Sequence, residues 1–475
     1  MTGSQRWVAL SVVSVAQLMV ALDATIMNIA LPSAQQALHP SDADRQWVVT
    51  AYTLAFAGLL LLGGRIADYL GRKRVFLAGL AGFMAASAVG GAAVNFPMLV
   101  AGRALQGAFA AVLIPTALSL LAVTFTEPKE RARAFAVYGA IASGGGAVGL
   151  LAGGLLTEFA SWRWCLYVNL IIGLAAGLAG LWVLADGQSQ GRQRFDVPGV
   201  LLVTSGLVAV VYACTQAVAA GWGAAQVIVP LGAAVLLLAS FVLWESRAAQ
   251  PLLPLRLLWE RNRGGACVAS GLAIVGLFGM SLLLTYHFQA VLGYSPFQAG
   301  LAFLPMTLAV AASAFGIASP LLPRVPARLL IVPGLLLTAT GLLLLTGLTP
   351  ESGYLTMIVP AEVLLGAGIG CVITPGFSVV TQGVDRREAG VASAMVNTAQ
   401  QVGGSLGAAL LNTVATAATA ASLRAGVPQA RALVHGYATA TAWGAGVLLL
   451  AAALAALMIN APVPEAQAGA SRGRR

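Results

Sequence analysis

Long apolar runs separated by short charged turns account for almost all of this chain. Fourteen runs can be read, near residues 7–31, 47–65, 75–95, 97–123, 133–158, 164–185, 197–219, 224–244, 264–292, 297–320, 328–348, 354–380, 389–422 and 432–459. Most reach the ~20 residues a helix needs to cross bilayer hydrocarbon, and Gly and Pro inside them are ordinary for membrane helices. Segments 7 and 8 are the weakest, because only Gly221-Trp222-Gly223 separates them. Twelve spans with a re-entrant hairpin is the competing count. The reading is an all-α membrane protein with fourteen spans.

The turns set the orientation. The run Gly64 to Arg74 reads as a tight loop between two spans and holds four of the 26 Lys+Arg. Such a charge density marks a cytoplasmic turn. With the N-terminus inside, every Lys and Arg is cytoplasmic except Arg45, Arg163, Arg424 and Arg431 outside and Arg103 within a span. Both termini are therefore expected in the cytoplasm, with an even span count. The stretch Trp7–Ala30 after Arg6 is too long for a signal-peptide core and reads as a retained span.

Composition agrees and excludes other classes. The chain of 475 residues is 59% apolar and 9% charged, where a soluble domain carries about 25% charged. The net charge of +10 comes from Arg, since Lys occurs only at Lys73 and Lys129. These Arg residues sit in short turns, so nucleic acid is not an expected partner. Cys165, Cys214, Cys267 and Cys371 lie in apolar runs without metal-ligand spacing, and no metal or cofactor is expected. Lys73 precedes Arg and Lys129 precedes Glu, so no phosphate-cradling G-K-[ST] loop supplies ATP drive. Three histidines and no nucleophile–base pair argue against an enzyme.

Three ionisable residues fall well inside the spans, where charge is costly and points to function. Asp23 precedes Pro32, read as the outer end of segment 1, by roughly 13 Å of helix; Arg103 follows Pro97 by roughly 9 Å, and Glu362 follows Tyr354 by roughly 12 Å. All three read as proton-coupling candidates at similar depth. Desolvation disfavours the charged form of an acid, and a neighbouring Arg favours it. A static Asp23–Arg103 ion pair joining segments 1 and 4 is the structural alternative. Glu158 reads as interfacial. His287 and Gln289 lie near an outer end, where a lone histidine is more often a wet residue than a proton carrier. With Asn28, Gln106, Asn397 and Gln401 they are the candidate substrate-cavity residues.

Small residues recur at helical spacing. Gly145, Gly149 and Gly153, with Gly154, make a smooth face on segment 5, and Gly403 and Gly407 do so on segment 13. Such faces let helix backbones approach closely in lipid. A weak internal repeat aligns Arg103 with Glu362 and Gly107 with Gly366 at one offset. It fits two six-helix bundles (1–186 and 263–460), two inserted helices with their loops (187–262) and a tail (461–475).

These motifs resemble one family. Leu22-Asp23-Ala24-Thr25-Ile26-Met27-Asn28-Ile29-Ala30-Leu31-Pro32 is similar to the first-helix signature of the fourteen-span drug:proton antiporters of the major facilitator superfamily. Gly64 to Lys73 resembles the superfamily loop motif, and Arg103-Ala104-Leu105-Gln106-Gly107 its R-x-x-Q-G motif. Trp162-Arg163-Trp164 with Asn169, Gly293-Tyr294-Ser295-Pro296, and Asn397 with Gln401 also look like this branch. The resemblance implies the major facilitator fold and a proton-coupled exporter of lipophilic drugs or antibiotics. Asp23 would be the coupling carboxylate, Arg103 its partner, and Gly64, Asp68, Gly71, Arg72 and Lys73 a conformational latch. It further implies a monomer in a bacterial inner membrane, with small lipophilic substrate, protons and the bilayer as partners. Two departures stand out. Gly149-Leu150-Leu151-Ala152-Gly153-Gly154 lacks the proline of the antiporter G-P-x-x-G-G motif, and Ile171 replaces a proline expected after Asn169. The first leaves open a lipid or metabolite transporter without proton exchange. A membrane sensor on this fold would need an attached soluble domain, and the longest loops are too short for one.

Overall fold

The computed structural model describes residues 3–40, 44–45, 47–125, 127–184, 196–248, 255–382, 384 and 389–460. These residues form α-helices and π-helical turns with no strand among them. The helices are α1 Gly3–Leu38, α2 Trp47–Leu70, α3 Arg72–Gly91, α4 Phe96–Thr124, α5 Pro128–Phe159, α6 Trp164–Val183, α7 Val197–Ala220, α8 Ala225–Glu245 and α9 Leu255–Trp259. Then follow α10 Arg261–Tyr286, α11 Pro296–Ala302, α12 Leu304–Ser313, α13 Ser319–Leu321, α14 Arg328–Leu345, α15 Val359–Thr381, α16 Ala389–Arg424 and α17 Gln429–Met458. Three π-helical turns, His287–Val291, Ala314–Ala318 and Tyr354–Ile358, adjoin α10, α12 and α15.

Eleven helical stretches among the described residues are long and apolar enough to cross a membrane. The other three expected segments lie on α2, α5 and α7, where the described apolar stretches are the shorter Trp47–Leu60, Val148–Phe159 and Val197–Val210. Large side chains that a water-soluble fold would bury stand exposed on α6 and α8, among them Leu174, Leu178, Trp182, Val229, Val235 and Leu236. Hydrocarbon solvates such a surface as well as a protein core does.

Two expectations about helix ends are corrected. Gly64–Leu70 is not a loop: α2 continues through it, and the turn is the single residue Gly71 at φ 94°. Nothing before Gly71 breaks a helix, and a left-handed φ suits glycine. Pro32 does not end α1, which runs to Leu38 with the proline inside it. Asp23 is therefore roughly 22 Å from the end of its helix. Other ends follow local chemistry. Asn95 accepts from the Met98 backbone N–H at the start of α4, with a proline in the first turn, and the Glu260 carboxylate accepts from the Asn262 and Arg263 N–H groups of α10.

The chain divides into two compact units. One is Met1–Ala209 with Gly232–Leu252 and Tyr294–Leu301, and the other is Val210–Leu231 with Leu253–Gly293 and Ala302–Arg475. The core of the first is apolar, with Met19, Phe76, Phe83, Leu113, Leu121 and Phe125 fully enclosed. Its helices meet through glycine. A Cβ on Gly145 would lie 2.6 Å from the Ala21 Cβ, one on Gly149 2.8 Å from the Leu22 carbonyl oxygen, and one on Gly153 2.7 Å from the Ile26 carbonyl oxygen. The glycine face of α5 thus sets α1, the helix of Asp23, backbone against backbone. Gly154 faces elsewhere, against the backbone of Pro296 and Phe297.

Candidate functional site

The buried charge of the first unit is enclosed in a hydrogen-bond network. Asp23 is 0% and Arg103 1% exposed. The Arg103 Nη1 donates to Asp23 Oδ2 at 2.5 Å and to Gln106 Oε1 at 2.8 Å, and its Nε donates to the Val48 carbonyl at 3.0 Å. Its guanidinium carbon lies 4.5 Å from the centre of the Tyr52 ring, a cation–π contact. Gln106 Nε2 donates to Asp23 Oδ1 at 2.9 Å and to Ser87 Oγ at 2.7 Å, and Asn169 Nδ2 donates to Asp23 Oδ1 at 2.7 Å. Ser87 Oγ in turn donates to the Phe83 carbonyl at 2.8 Å.

Helix geometry explains the assembly. Arg103 and Gln106 are three residues apart on α4, so they share a face. Gly107 on that helix lets α2 come close: a Cβ there would lie 2.1 Å from the Tyr52 carbonyl oxygen, which brings Val48 and Tyr52 to the guanidinium. Asp23 receives three donors, one of them charged. The guanidinium and the two amides together complete the hydrogen-bond partners of this side chain within the unit. The predicted Asp23–Arg103 contact is present, with Gln106 as part of it. Ser87, Tyr52 and the Val48 carbonyl had no sequence signal, and Asn169 was visible only as a motif residue. Asn28 is buried on α1 outside this network.

The second unit holds the opposite arrangement. Glu362 is 0% exposed on the first turn of α15, and neither carboxylate oxygen has a hydrogen-bond partner. Gly366, four residues on, packs as Gly107 does: a Cβ there would lie 2.2 Å from the Met306 carbonyl oxygen of α12. His287 is not the wet residue expected. It is 0% exposed, with both ring nitrogens unpartnered. It lines a cavity of about 10 Å³ with Met280, Leu284, Leu345, Tyr437 and Thr441, room for about one water molecule. Gln289, Asn397 and Gln401 are half-buried.

The remaining expected residues scatter. The surroundings of Gly64 and the side chain of Asp68 lie outside what is described. Lys73 Nζ donates to the Leu181 carbonyl at 2.9 Å and so caps the C-terminal end of α6. Glu158 is more than interfacial: its Oε2 accepts from Ser295 Oγ at 2.5 Å and from the Phe297 N–H at 3.1 Å. Arg163 donates to the Gly91 and Ala93 carbonyls, closing the end of α3. Among the described residues no cluster of three metal-ligating side chains occurs.

The family profile of the Major Facilitator Superfamily matches residues 13–408. The chain belongs to this superfamily. Among its relatives, the puromycin resistance protein pur8 of Streptomyces alboniger is 52% identical over 96% of this chain and 92% of that protein. The cephamycin export protein CmcT of Amycolatopsis lactamdurans is 43% identical, covering 87% of this chain and 86% of that protein. Solved structures agree on the fold. A bacterial homologue of the human lysosomal transporter Spinster, inward-facing and unoccupied, superposes with a TM-score of 0.68 at 17% identity, over 96% of this chain and 98% of that one. The peptide transporter POT in complex with sulfate gives 0.68 at 13% identity, over 95% and 96%. This member of the superfamily is thus an all-helical, multi-pass membrane transporter.

Proposed function

We propose that this transporter exports a lipophilic antibiotic or drug across a bacterial cytoplasmic membrane, driven by inward proton flow. The observation that carries the reading is the Asp23–Arg103–Gln106–Asn169 network, in a chain 52% identical to a puromycin resistance protein. In this account Asp23 exchanges a proton as the transporter alternates its access. Protonation removes the charge that Arg103 and two amides hold, so the helices α1, α4 and α6 lose their shared anchor. Substrate drives the cycle only if it binds the two states differently. The substrate is a monocation or a neutral compound, because Arg103 already neutralises Asp23. Asn28, Gln289, Asn397 and Gln401 are the polar groups proposed to meet it. The same reading takes fourteen spans, two six-helix bundles with two inserted helices, both termini in the cytoplasm, a monomer, and a latch at the Gly71 turn including Arg72 and Lys73.

The test has two arms. Expression in a pump-deficient bacterium challenged with a panel of antibiotics and dyes should raise tolerance to a subset, puromycin among the first to try. Purified protein in liposomes should then move protons when that substrate is added, and Asp23→Asn should not. Equal export by both forms with no proton movement would remove proton coupling from the account. One observation favours a second reading. The stretch Gly149 to Gly154 lies in an uninterrupted α5 that lacks the motif proline, which fits export of a lipid or metabolite without proton exchange.

A further inference from the structure

A second buried acid lies in the other unit, away from the one the motif names. Glu362 is fully buried, and neither of its oxygens accepts a hydrogen bond. An ionised carboxylate without a donor is far more expensive to bury than a neutral carboxyl, and such a group takes up a proton instead. Charged groups on the neighbouring elements are engaged or distant. Arg261 and Arg263 of α10 donate to the Leu457 and Gln382 carbonyls, at the end of α10 remote from His287. Tyr354 donates to the Ala302 carbonyl. Arg328 begins α14 and Arg424 ends α16. His287 has no hydrogen-bond partner. No described cation forms a salt bridge with Glu362. Asp23 is the reverse case, with three donors in place, one of them a guanidinium.

A second observation points to the same helix. The π-helical turn Tyr354–Ile358 runs directly into α15, and the π turn Ala314–Ala318 packs against it. Single π turns recur at functional sites, where they replace a strict α-helical register. All three π turns are in the second unit, and the described helices of the first have none.

We propose that Glu362 is a proton-carrying acid separate from Asp23, loaded in this conformation while Asp23 is ionised. When α15 opens to water, Glu362 gives its proton to water and becomes a carboxylate. It regains one proton from water on the other side, and no other reactant is consumed. The proposal rests on the proton-coupled reading and adds a second acid to it.

Dicyclohexylcarbodiimide tests it, because the reagent takes the proton of a carboxylic acid and bonds the resulting carboxylate, whereas a carboxylate held by arginine is inert. In the resting protein in liposomes, before substrate is added, mass spectrometry should find the adduct on the Glu362 peptide and not on the Asp23 peptide. Glu362→Gln mimics the neutral acid, so it should keep the wild-type thermal stability, lose the adduct and lose at least tenfold in substrate-evoked proton movement. A purely structural carboxyl would leave that movement unchanged in Glu362→Gln, and this result overturns the proposal alone. An adduct on Asp23 in place of Glu362 also overturns it. A wild type that exports without moving protons overturns the coupled reading and this proposal together.

Discussion

Arg103 in the first unit and Glu362 in the second occupy matching positions on helices that share a glycine four residues later. Each glycine brings a neighbouring helix backbone close, Gly107 against Tyr52 and Gly366 against Met306. The charged residues have met different fates. Arg103 reaches an acid on α1, a carbonyl on α2 and an amide on its own helix, whereas Glu362 reaches no donor. The same scaffold therefore holds one charge as a structural anchor and leaves the other chemically unspent. A charge with a complete set of partners stabilises one arrangement of helices. A buried acid without partners is stable only while neutral, so its protonation follows its access to water.

Several substitutions would break or sharpen that contrast. The largest effect is expected for Arg103→Leu, which strands the Asp23 charge with two amide donors. Loss of one partner of a buried pair costs about 3–5 kcal/mol, to be read as a lower thermal midpoint in detergent together with loss of export. Removing one amide donor, by Asn169→Ala or Gln106→Leu, should cost about 1.5–3 kcal/mol, the range for hydrogen bonds to charged groups. Denaturation of the purified protein checks this, and equal stability would show that the network is looser than its distances. Gly149→Ala should destabilise by about 1–3 kcal/mol, the range for overpacking, because the new methyl meets the Leu22 carbonyl; an unchanged midpoint would mean α1 and α5 separate freely. Lys73→Ala removes a partly exposed cap on α6 and should cost about 0.3–1 kcal/mol, measured the same way. Glu362→Leu is expected to be neutral or slightly stabilising, since an unpartnered polar group is replaced by an apolar one. A marked fall in its midpoint would show that Glu362 has partners in solution and would erase the contrast.

Much of the fold was legible in advance. The apolar runs marked the helices, and Asp23, Arg103 and Glu362 stood out because a charge interrupts such a run visibly; all three are buried. The Asp23–Arg103 pairing could be posed as one of two readings because both residues sit in family motifs. Asn169 to Asp23 spans 146 positions of sequence, and no local periodicity reports which faces of α1 and α6 meet. Ser87 is a small polar residue in an Ala- and Gly-rich helix and carries no signal of its own. The ends of α1 and α2 were misplaced for a local reason: Pro32 and the charged stretch before Gly71 are tolerated within helices that neighbouring packing supports. His287 was misplaced because its burial depends on Leu345 and Tyr437 of other helices packing around it, which the sequence of its own helix does not report.

Hydrocarbon has a fixed thickness and no hydrogen-bonding capacity, so run lengths and the placement of arginine were enough to establish a polytopic helical protein from the residue order. Whether each buried charge would find a partner was a matter for helix rotation and approach. Those are settled by where glycines let backbones touch and where π turns change the register. Only the folded arrangement could show that Asp23 is matched and Glu362 is not.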